Sequence, residues 1–342
     1  MTRKILVISL LISAFMLGFS GNIHAASGEE DKTGFIMHHV KDSHEWHFTT
    51  IGDTHVTLSL PVIVFSSGRG LEFFSSTDFQ NPQSHLFGEE YAHEGFYIDE
   101  HDHLQKSDGG TFLEFSITKN VVMLFIVLIF VGWFALSAAS HYKKHSAVAP
   151  KGAAAIIEPI VIFVRDEIAK KSIGPQYRRF VPYLLTLFLF VWFGNLLGLV
   201  PGAANMTGNI AVTLVLATLT FIITNVNGNK EYWKHVFMTP GVPPMMLLII
   251  VPVEIIGLFT KPFALMVRLF VAITAGHIVI LGFIALAFIF ESVTIGIAST
   301  LMVTFINLIE LLVATIQAYV FTLFSAMYIG SAVAEHAHDD HH

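Results

Sequence analysis

The composition of this 342-residue chain indicates an integral membrane protein. Hydrophobic residues make up 54% of the chain, only 13% are charged, and the mean hydropathy is +0.65, which lies outside the range of soluble globular domains. The chain contains no cysteine, and this excludes disulfides, zinc–thiolate sites and thiol nucleophiles. The formal net charge of −7 is distributed unevenly, so its pattern along the chain is more informative than its sum.

The N-terminal segment has the three parts of a secretory signal peptide. Arg3 and Lys4 precede the apolar stretch Ile5–Phe19, and small residues up to Ala26 offer a cleavage site. We therefore predict a signal peptide over residues 1–26, with an uncleaved first membrane helix as the alternative. Either interpretation places the residues that follow outside the cytoplasm.

Residues 27–115 form an acidic, histidine-rich region with 16 Asp and Glu, 4 Lys and Arg, and nine histidines. The alternating stretches EWHFTTIGD and THVTLSLPVIVFSS predict a β-hairpin closed by a Gly-Asp turn, and we expect the polar remainder to form loops. His38, His39, His44 and His47 come nearest to a metal site, but their spacing matches no standard ligand set. We predict no metal. A cap on a channel mouth and a solvated acidic surface are the other interpretations.

Five apolar segments are predicted to cross the membrane, at residues 121–140, 181–201, 209–225, 243–290 and 293–333. An amphipathic helix over about 152–172 is predicted to lie on the membrane surface, because charged residues alternate there with apolar ones. The last two spans exceed the ~20 residues of one perpendicular crossing, so we expect a tilted hairpin. The predicted fold class is an all-α polytopic membrane domain, residues 116–342, preceded by a small extracytoplasmic region with β-strands.

The distribution of Lys and Arg predicts the orientation of the chain. The 141–180 loop has eight of these residues and the 225–241 loop has two, whereas the 201–208 loop and the 289–293 turn have none. The two basic loops and the C-terminus are therefore expected in the cytoplasm, and residues 27–115 in the periplasm. We predict a multi-pass protein of the bacterial inner membrane.

Four ionisable side chains interrupt the apolar run of the fourth span. Glu254, Lys261 and Arg268 are spaced by seven residues and share one helix face, whereas His277 lies nine residues beyond Arg268 on the opposite face. An arginine at the bilayer centre costs at least about 2.5 kcal/mol, and it cannot become neutral by losing its proton. Structural roles remain open for His277 as a hydrogen-bonding residue, for Lys261 as a snorkelling side chain and for Glu254 as a partner of either cation.

The fifth span carries Asn307, Glu310 and Gln317 on one face. If the last two spans form an antiparallel hairpin, His277 and Glu310 can line a shared polar path. Histidine and a desolvated glutamate can exchange protons near neutral pH, which makes this pair a plausible relay. Arg268 would face elsewhere and supply a fixed positive potential that favours an ionised carboxylate on a partner.

The motifs around these residues resemble subunit a of the membrane sector of F-type ATP synthase. They are KPFALMVRLF at 261–270, AGH at 275–277, IELLVATIQAYVF at 309–321 and FVWFGNLLGLVPG at 190–202. The resemblance covers roughly residues 115–333. It implies a stator beside a rotating ring of c subunits, with two offset half-channels that carry protons to and from a ring carboxylate.

The resemblance also implies roles for individual residues. Arg268 matches the essential arginine, Gln317 the glutamine near it, and His277 and Glu310 the two polar channel positions. Four further residues are candidates for channel or supporting roles: Asn195, Glu254, Lys261 and Asn307.

The implied partners are the c-ring, the b subunits of the peripheral stalk and membrane lipid, without nucleic acid. No catalytic site and no cofactor are expected, since the chain has no phosphate-binding loop. The alternative is a self-contained metal or ion transporter that uses the histidine-rich region for capture. Such a transporter predicts an inverted repeat, and the sequence shows no internal repeat.

Overall fold

Two compact units make up the chain, an N-terminal unit that ends at Lys119 and a membrane unit that begins at Asn120. This computed structural model describes residues 42–51, 54–66, 69–80, 87–99, 102–144, 152–200, 202–238, 243–290 and 292–334. Several predictions concern residues outside those ranges. They are the signal peptide, the histidines His38 and His39, the Gly-Asp turn and the cytoplasmic location of the last eight residues. The side chain of His47 also lies outside the description.

The N-terminal unit is built from short antiparallel strands. Strands β1 (Glu45–Ile51) and β2 (Thr54–Ser59) form the predicted hairpin. Strand β3 (Pro61–Ser66) pairs on one side with β4 (Gly70–Ser75) and on the other with β7 (Phe112–Glu114). The remaining pair is β5 (Phe96–Ile98) with β6 (Leu104–Lys106).

The expectation that the polar stretch after β4 forms only loops was wrong. Strands β5 and β6 lie inside it because Phe96, Ile98 and Leu104 are buried in the core of this unit. These three join Val62 and Val64 of β3 in one cluster, into which further aromatic rings pack. Such short strands show too few alternating positions for periodicity to reveal them.

A partly buried ion pair and a buried hydrogen bond join the first described residues of this unit to residues nearer its end. His44 is 3% exposed, and its Nε2 atom lies 2.7 Å from Oε1 of Glu114. The hydroxyl of Ser43 donates to the carboxylate of Asp102 at 2.9 Å. Burial alone would raise the pKa of Glu114. The hydrogen bond with His44, the charge of His44 and the hydrogen bond with the Ser116 hydroxyl outweigh burial, so the pKa of Glu114 is lowered.

The membrane unit is helical. Its helices are α1 (Lys119–Lys144), α2 (Ala153–Ile162), α3 (Lys170–Ile173), α4 (Val181–Gly198), α5 (Ile210–Val226), α6 (Lys230–Phe237), α7 (Pro244–Phe290) and α8 (Val293–Val333). A π-helical segment, Phe163–Ala169, joins α2 to α3 without a break.

In the described chain, four helices are long and apolar enough to cross a membrane: α1, α4, α7 and α8. Helices α5 and α6 are bent by 103° at a short break and count as a fifth span if taken together. This architecture confirms the predicted fold class. The 47 residues of α7 extend over about 70 Å, more than twice the ~30 Å hydrocarbon thickness, so a single perpendicular crossing is excluded.

The continuous helix from α2 to α3 separates apolar from charged positions. Ala154, Ile157, Val164 and Ile168 are buried at spacings of three, seven and four residues. The charged side chains lie on the exposed side, where Arg165 pairs with Asp166 at 2.7 Å and Lys171 pairs with Glu167. This is the pattern of a helix that lies along a surface.

The C-terminal half of α8 is densely packed. Small residues such as Ala314, Ala318 and Ala326 are fully buried there and permit the close approach of α4 and α5. Near the end of α8, Gly330 contacts the backbone of Ser172 so closely that a Cβ atom would overlap the Ser172 carbonyl oxygen. This contact locks α8 to α3.

Gly330→Ala tests that lock. The added methyl group collides with a backbone atom that cannot rotate away, and such overpacking typically costs about 1–3 kcal/mol. We expect a lower thermal unfolding midpoint for the detergent-solubilised protein. Gly296→Ala is the matched control in the same helix, because a Cβ atom there has no neighbour within 4 Å. Equal midpoints for the two variants would contradict the lock.

The lowered pKa of Glu114 predicts an acid-sensitive N-terminal unit. A carboxyl whose pKa is lowered by folding stabilises the folded state at pH values above its ordinary pKa of 4.5. That stabilisation is lost as the pH falls through the lowered, folded-state pKa. We expect Glu114→Gln to flatten the pH dependence of amide hydrogen exchange in β3 below that value. Glu90→Gln, at an exposed position of the same unit, should leave it unchanged. An unaltered profile for Glu114→Gln would refute the assignment.

Candidate functional site

Helices α7 and α8 run antiparallel and meet along one side. Positions successively further along α7 contact positions successively earlier on α8. The contacting pairs are Lys261 with Tyr328, Arg268 with Phe324, and Gly276 with Glu310. The predicted hairpin therefore brings the polar residues of both helices into one region.

Arg268 lies exposed in the middle of α7. Its guanidinium carbon is 4.3 Å from the centroid of the Phe324 ring, a cation–π contact typically worth about 0.5–1 kcal/mol at an exposed site. The exposed positions on either side follow helical spacing and carry only small or apolar groups, apart from one threonine: Thr260, Ala264, Val271, Ala275, Ile278 and Gly282. Arg268 is thus a lone cation in an otherwise uncharged surface strip.

Lys261 and Glu254 lie half-buried further towards the start of α7. The ammonium group of Lys261 is 5.8 Å from the centroid of the Tyr328 ring. Among the described residues, each α7 cation therefore has an aromatic ring of α8 against it. Because seven residues span about 10 Å of helix, Glu254, Lys261 and Arg268 are stacked along the helix axis.

The carboxyl of Glu310 is buried between the two helices. The side chain is 2% exposed, and its Oε1 atom lies 2.9 Å from the place that a Cβ atom of residue 276 would occupy. Only a glycine leaves this space on α7. Neither carboxyl oxygen hydrogen-bonds to a described residue. Burying a carboxyl without such partners costs free energy, so its presence here points to a functional role.

His277 follows Gly276 directly and is half-buried. The structure therefore brings Glu310 of α8 to the residue next to His277 of α7, which are the two residues that the sequence suggested as a pair. Thr274, also half-buried, lies on α7 three residues before His277. Histidine, carboxyl and hydroxyl groups occur together here in an otherwise apolar stretch.

Gln317 is half-buried on the side of α8 that faces α7. It lies seven residues after Glu310 and seven before Phe324, and this spacing puts the three side chains on one helix face. Gln317 therefore lies between the Glu310 contact and the Arg268 contact. Asn307 is half-buried one turn before Glu310.

Asn195 holds α8 in place from helix α4. It is 1% exposed, and its side-chain amide donates to the backbone carbonyl of Ala314 at 3.1 Å. The neighbouring Trp192 donates from its indole nitrogen to the Thr315 hydroxyl at 3.2 Å. Both contacts lie about one turn beyond Glu310, so they fix the level at which its carboxyl sits.

Sequence reasoning missed three contact residues, Gly276, Phe324 and Tyr328. The heptad spacing that relates Glu310, Gln317 and Phe324 was available in the sequence and could have identified the aromatic ring. Gly276 belongs to the AGH motif, but one sequence does not show which side chain needs its missing Cβ. A buried hydroxyl chain was also missed: Tyr183 contacts Thr220 at 2.7 Å, and Thr220 contacts Ser325 at 3.3 Å.

No cluster of three His, Cys, Asp or Glu side chains capable of holding a metal occurs among the described residues. Of the histidines nearest to a metal site in the sequence, His44 is engaged with Glu114. His38, His39 and the side chain of His47 lie outside the described residues.

Comparison with known proteins identifies the family. The profile of the family described as ATP synthase A chain matches residues 121–330, and a family described as a domain of unknown function matches residues 35–123. ATP synthase subunit a of Chloroherpeton thalassium is 46% identical over 257 residues, which cover 74% of this chain and 76% of that protein. ATP synthase subunit a of Chlorobium phaeobacteroides is 40% identical over 324 residues, covering 93% and 80%. The Anaeromyxobacter protein of the same name is 40% identical over 340 residues, covering 94% and 76%.

The chain belongs to the ATP synthase A chain family. It is a multi-pass membrane subunit of the ATP synthase complex, acts as the proton-channel stator and has no catalytic site of its own. The alternative of a self-contained transporter is not favoured.

Gly276→Ala tests whether proton pumping depends on the position of the Glu310 carboxyl beside residue 276. The new methyl group would displace the flexible end of Glu310 without altering its chemistry, so we expect a several-fold loss of ATP-driven proton pumping in inverted membrane vesicles. Gly257→Ala adds the same group elsewhere in α7, outside the exposed strip around Arg268, where a Cβ atom has no neighbour within 4 Å, and should pump normally. Equal pumping by both variants, at equal amounts of assembled complex, would mean that the position of Glu310 is unimportant.

Proposed function

We propose that Arg268, His277, Glu310 and Gln317 guide protons between the periplasm and a ring of c subunits, and from that ring to the cytoplasm. The observation that carries this proposal is the separation of charge along one hairpin. Arg268 is exposed on α7, whereas the Glu310 carboxyl is buried against Gly276. An exposed cation is available to a carboxylate of a partner, and a buried carboxyl is not, so the two groups serve different steps.

His277 and Glu310 line the periplasmic half-channel in this proposal. His277 is nine residues nearer than Arg268 to the turn between α7 and α8, which corresponds to about 13 Å along the helix. The Lys and Arg distribution puts that turn on the periplasmic side. A proton that enters there passes His277 and Glu310 before it reaches Arg268, and imidazole and carboxyl groups are the side chains that most often transfer protons.

Arg268 separates the two half-channels. Its guanidinium remains charged at any physiological pH, so it attracts a ring carboxylate in the ionised state and opposes direct passage of a proton. Gln317, between the contacts made by Glu310 and Arg268, offers an uncharged amide to the same region. Glu254 and Lys261 lie on the cytoplasmic side of Arg268 and support the second half-channel.

The remaining candidates have supporting roles. Asn195 holds α8 through Ala314, and Asn307 adjoins the periplasmic path one turn from Glu310. We place the exposed strip around Arg268 against the c-ring, because it is the strip that carries the cation, and the other apolar faces of α7 and α8 against lipid. The b subunits of the peripheral stalk complete the stator.

We further propose the bacterial inner membrane as the setting. The basic loops support a cytoplasmic C-terminus and a periplasmic N-terminal unit. The signal peptide over residues 1–26 stays a prediction and agrees with that orientation. The domain boundaries at residues 27–115 and 116–342 belong to the same proposal.

Arg268→Ala is the decisive substitution. We expect it to abolish ATP-driven acidification of inverted vesicles while the complex still assembles, because the fixed charge at the ring surface is lost. His277→Ala and Glu310→Gln should each lower the pumping rate without abolishing assembly. The measurement is the quenching of a pH-sensitive dye, normalised to the amount of complex in the membrane.

Arg179→Ala is the matched control for Arg268→Ala. Its guanidinium carbon also lies near an aromatic ring, 5.7 Å from the centroid of Phe180, but at the start of α4. We expect this variant to pump at the wild-type rate. Normal pumping by Arg268→Ala would make that residue structural and refute the proposed path at its central point.

A further inference from the structure

One face of the β4–β3–β7 sheet in the N-terminal unit is apolar and exposed. Cross-strand pairing places Phe65 opposite both Leu71 and Leu113, and Ile63 opposite Phe73, so these side chains project from the same face. Five large hydrophobic side chains of this face are between 45% and 65% exposed: Phe65, Leu71, Phe73, Leu113 and Phe115. We call these five residues the apolar sheet face.

The opposite face of the same sheet already supplies the core of the unit. Val62 and Val64 are fully buried there, and Phe74 and Phe112 pack against them. In a water-soluble antiparallel sheet the second face would be polar. The apolar sheet face has no charged side chain, because the alternation of the strands directs Glu72 and Glu114 to the core side. An uncharged aromatic and aliphatic face of this kind marks an interaction surface.

Backbone hydrogen bonds hold the last residues of the N-terminal unit against strand β3 and against the first described residues of the unit. The backbone nitrogen of Phe115 donates to the carbonyl oxygen of Ile63 at 2.8 Å, and that of Ile117 donates to the carbonyl oxygen of Pro61 at 3.0 Å. Two residues later, at the start of α1, the backbone nitrogen of Lys119 donates to Ser43 at 3.0 Å. These bonds hold the chain of the N-terminal unit up to Lys119, the first residue of α1.

This junction limits how far the apolar sheet face can lie from the bilayer. Helix α1, which is apolar enough to cross a membrane, starts at Lys119, four residues after Phe115. Even fully extended, four residues span only about 14 Å, and the headgroup layer itself is ~5–8 Å thick on each side. Leu113 of β7 and Phe115, which follows the end of that strand, therefore stay near the membrane surface.

We propose that the apolar sheet face docks on the bilayer, with its phenylalanine and leucine side chains in the boundary between headgroups and acyl chains. The partner is the lipid surface itself, recognised by apolar burial and not by headgroup charge, since the face has no charge and the surrounding region is strongly acidic. The N-terminal unit is thus a membrane-seated platform. The sheet adds a second, monotopic attachment beside the span of α1.

Spin labels can measure this attachment directly, because the chain contains no cysteine. Phe73→Cys and Leu113→Cys place a nitroxide on the apolar sheet face, and Glu90→Cys places one at an exposed position elsewhere in the same unit. The full-length chain is reconstituted in phosphatidylcholine vesicles. It is also studied in the assembled complex, with reactive cysteines removed from the other subunits. Collisions of the nitroxide with oxygen indicate that the label lies in lipid. Collisions with a water-soluble nickel chelate indicate that it lies in solvent.

We expect the labels at positions 73 and 113 to show an oxygen-to-nickel accessibility ratio several-fold above that of the label at position 90. Their depth should be about 5–10 Å below the headgroup level. Replacing a third of the phosphatidylcholine with phosphatidylglycerol should leave the ratio unchanged, because no headgroup charge is read. Leu71→Cys and Phe65→Cys report on the same face if either first variant fails to assemble.

Three results would overturn the proposal. Nickel accessibility at positions 73 and 113 equal to that at position 90 would place the face in water. Shielding from both reagents would mean that protein covers it, whether another subunit, a second copy of this chain or the residues before position 42. A ratio that depends on phosphatidylglycerol would contradict recognition by apolar burial.

Discussion

The close approach of α7 and α8 at Gly276 is the constraint on which the membrane unit depends. It creates the space in which the Glu310 carboxyl is buried, and it sets the register that brings Arg268 to Phe324 and Lys261 to Tyr328. A shift of α8 by one turn, about 5.4 Å, would remove the carboxyl from beside His277. The polar contacts from α4 to α8 act against that shift, since they hold Ala314 and Thr315 at a fixed level.

Much of this arrangement could be predicted from the sequence, because hydropathy and charge spacing are strong signals in a membrane chain. The limits of the last two helices follow from the length of their apolar runs, and so does the expectation of a hairpin. Given that hairpin, helical spacing brings His277 near Glu310. The aromatic partners of the two cations do not, because a phenylalanine in an apolar helix resembles any other core residue. The seat provided by Gly276 depends on a helix distant in sequence, and local patterns carry no information about it.

The N-terminal unit was less predictable for a related reason. Its hairpin has long alternating strands, whereas β5 and β6 have three residues each and owe their pairing to the core they help to form. The break between α5 and α6 illustrates the same point, because Asn227, Gly228 and Asn229 signal a turn but not its angle of 103°. Tertiary packing determines such features, and no short stretch of the sequence contains the information needed to predict that packing.

The uneven packing of α8 has a mechanical consequence. Its C-terminal half is held by α3, α4 and α5, while buried positions are sparse before Glu310, where Ser299 is the only one among the described residues of the helix. A helix clamped at one end behaves as a cantilever under a sideways load. A rotor that pulls sideways on this subunit would bend the N-terminal part of α8, which is linked to α7, and would leave the C-terminal half in place. The elastic flexibility of α8 is therefore concentrated between its first residue, Val293, and Glu310.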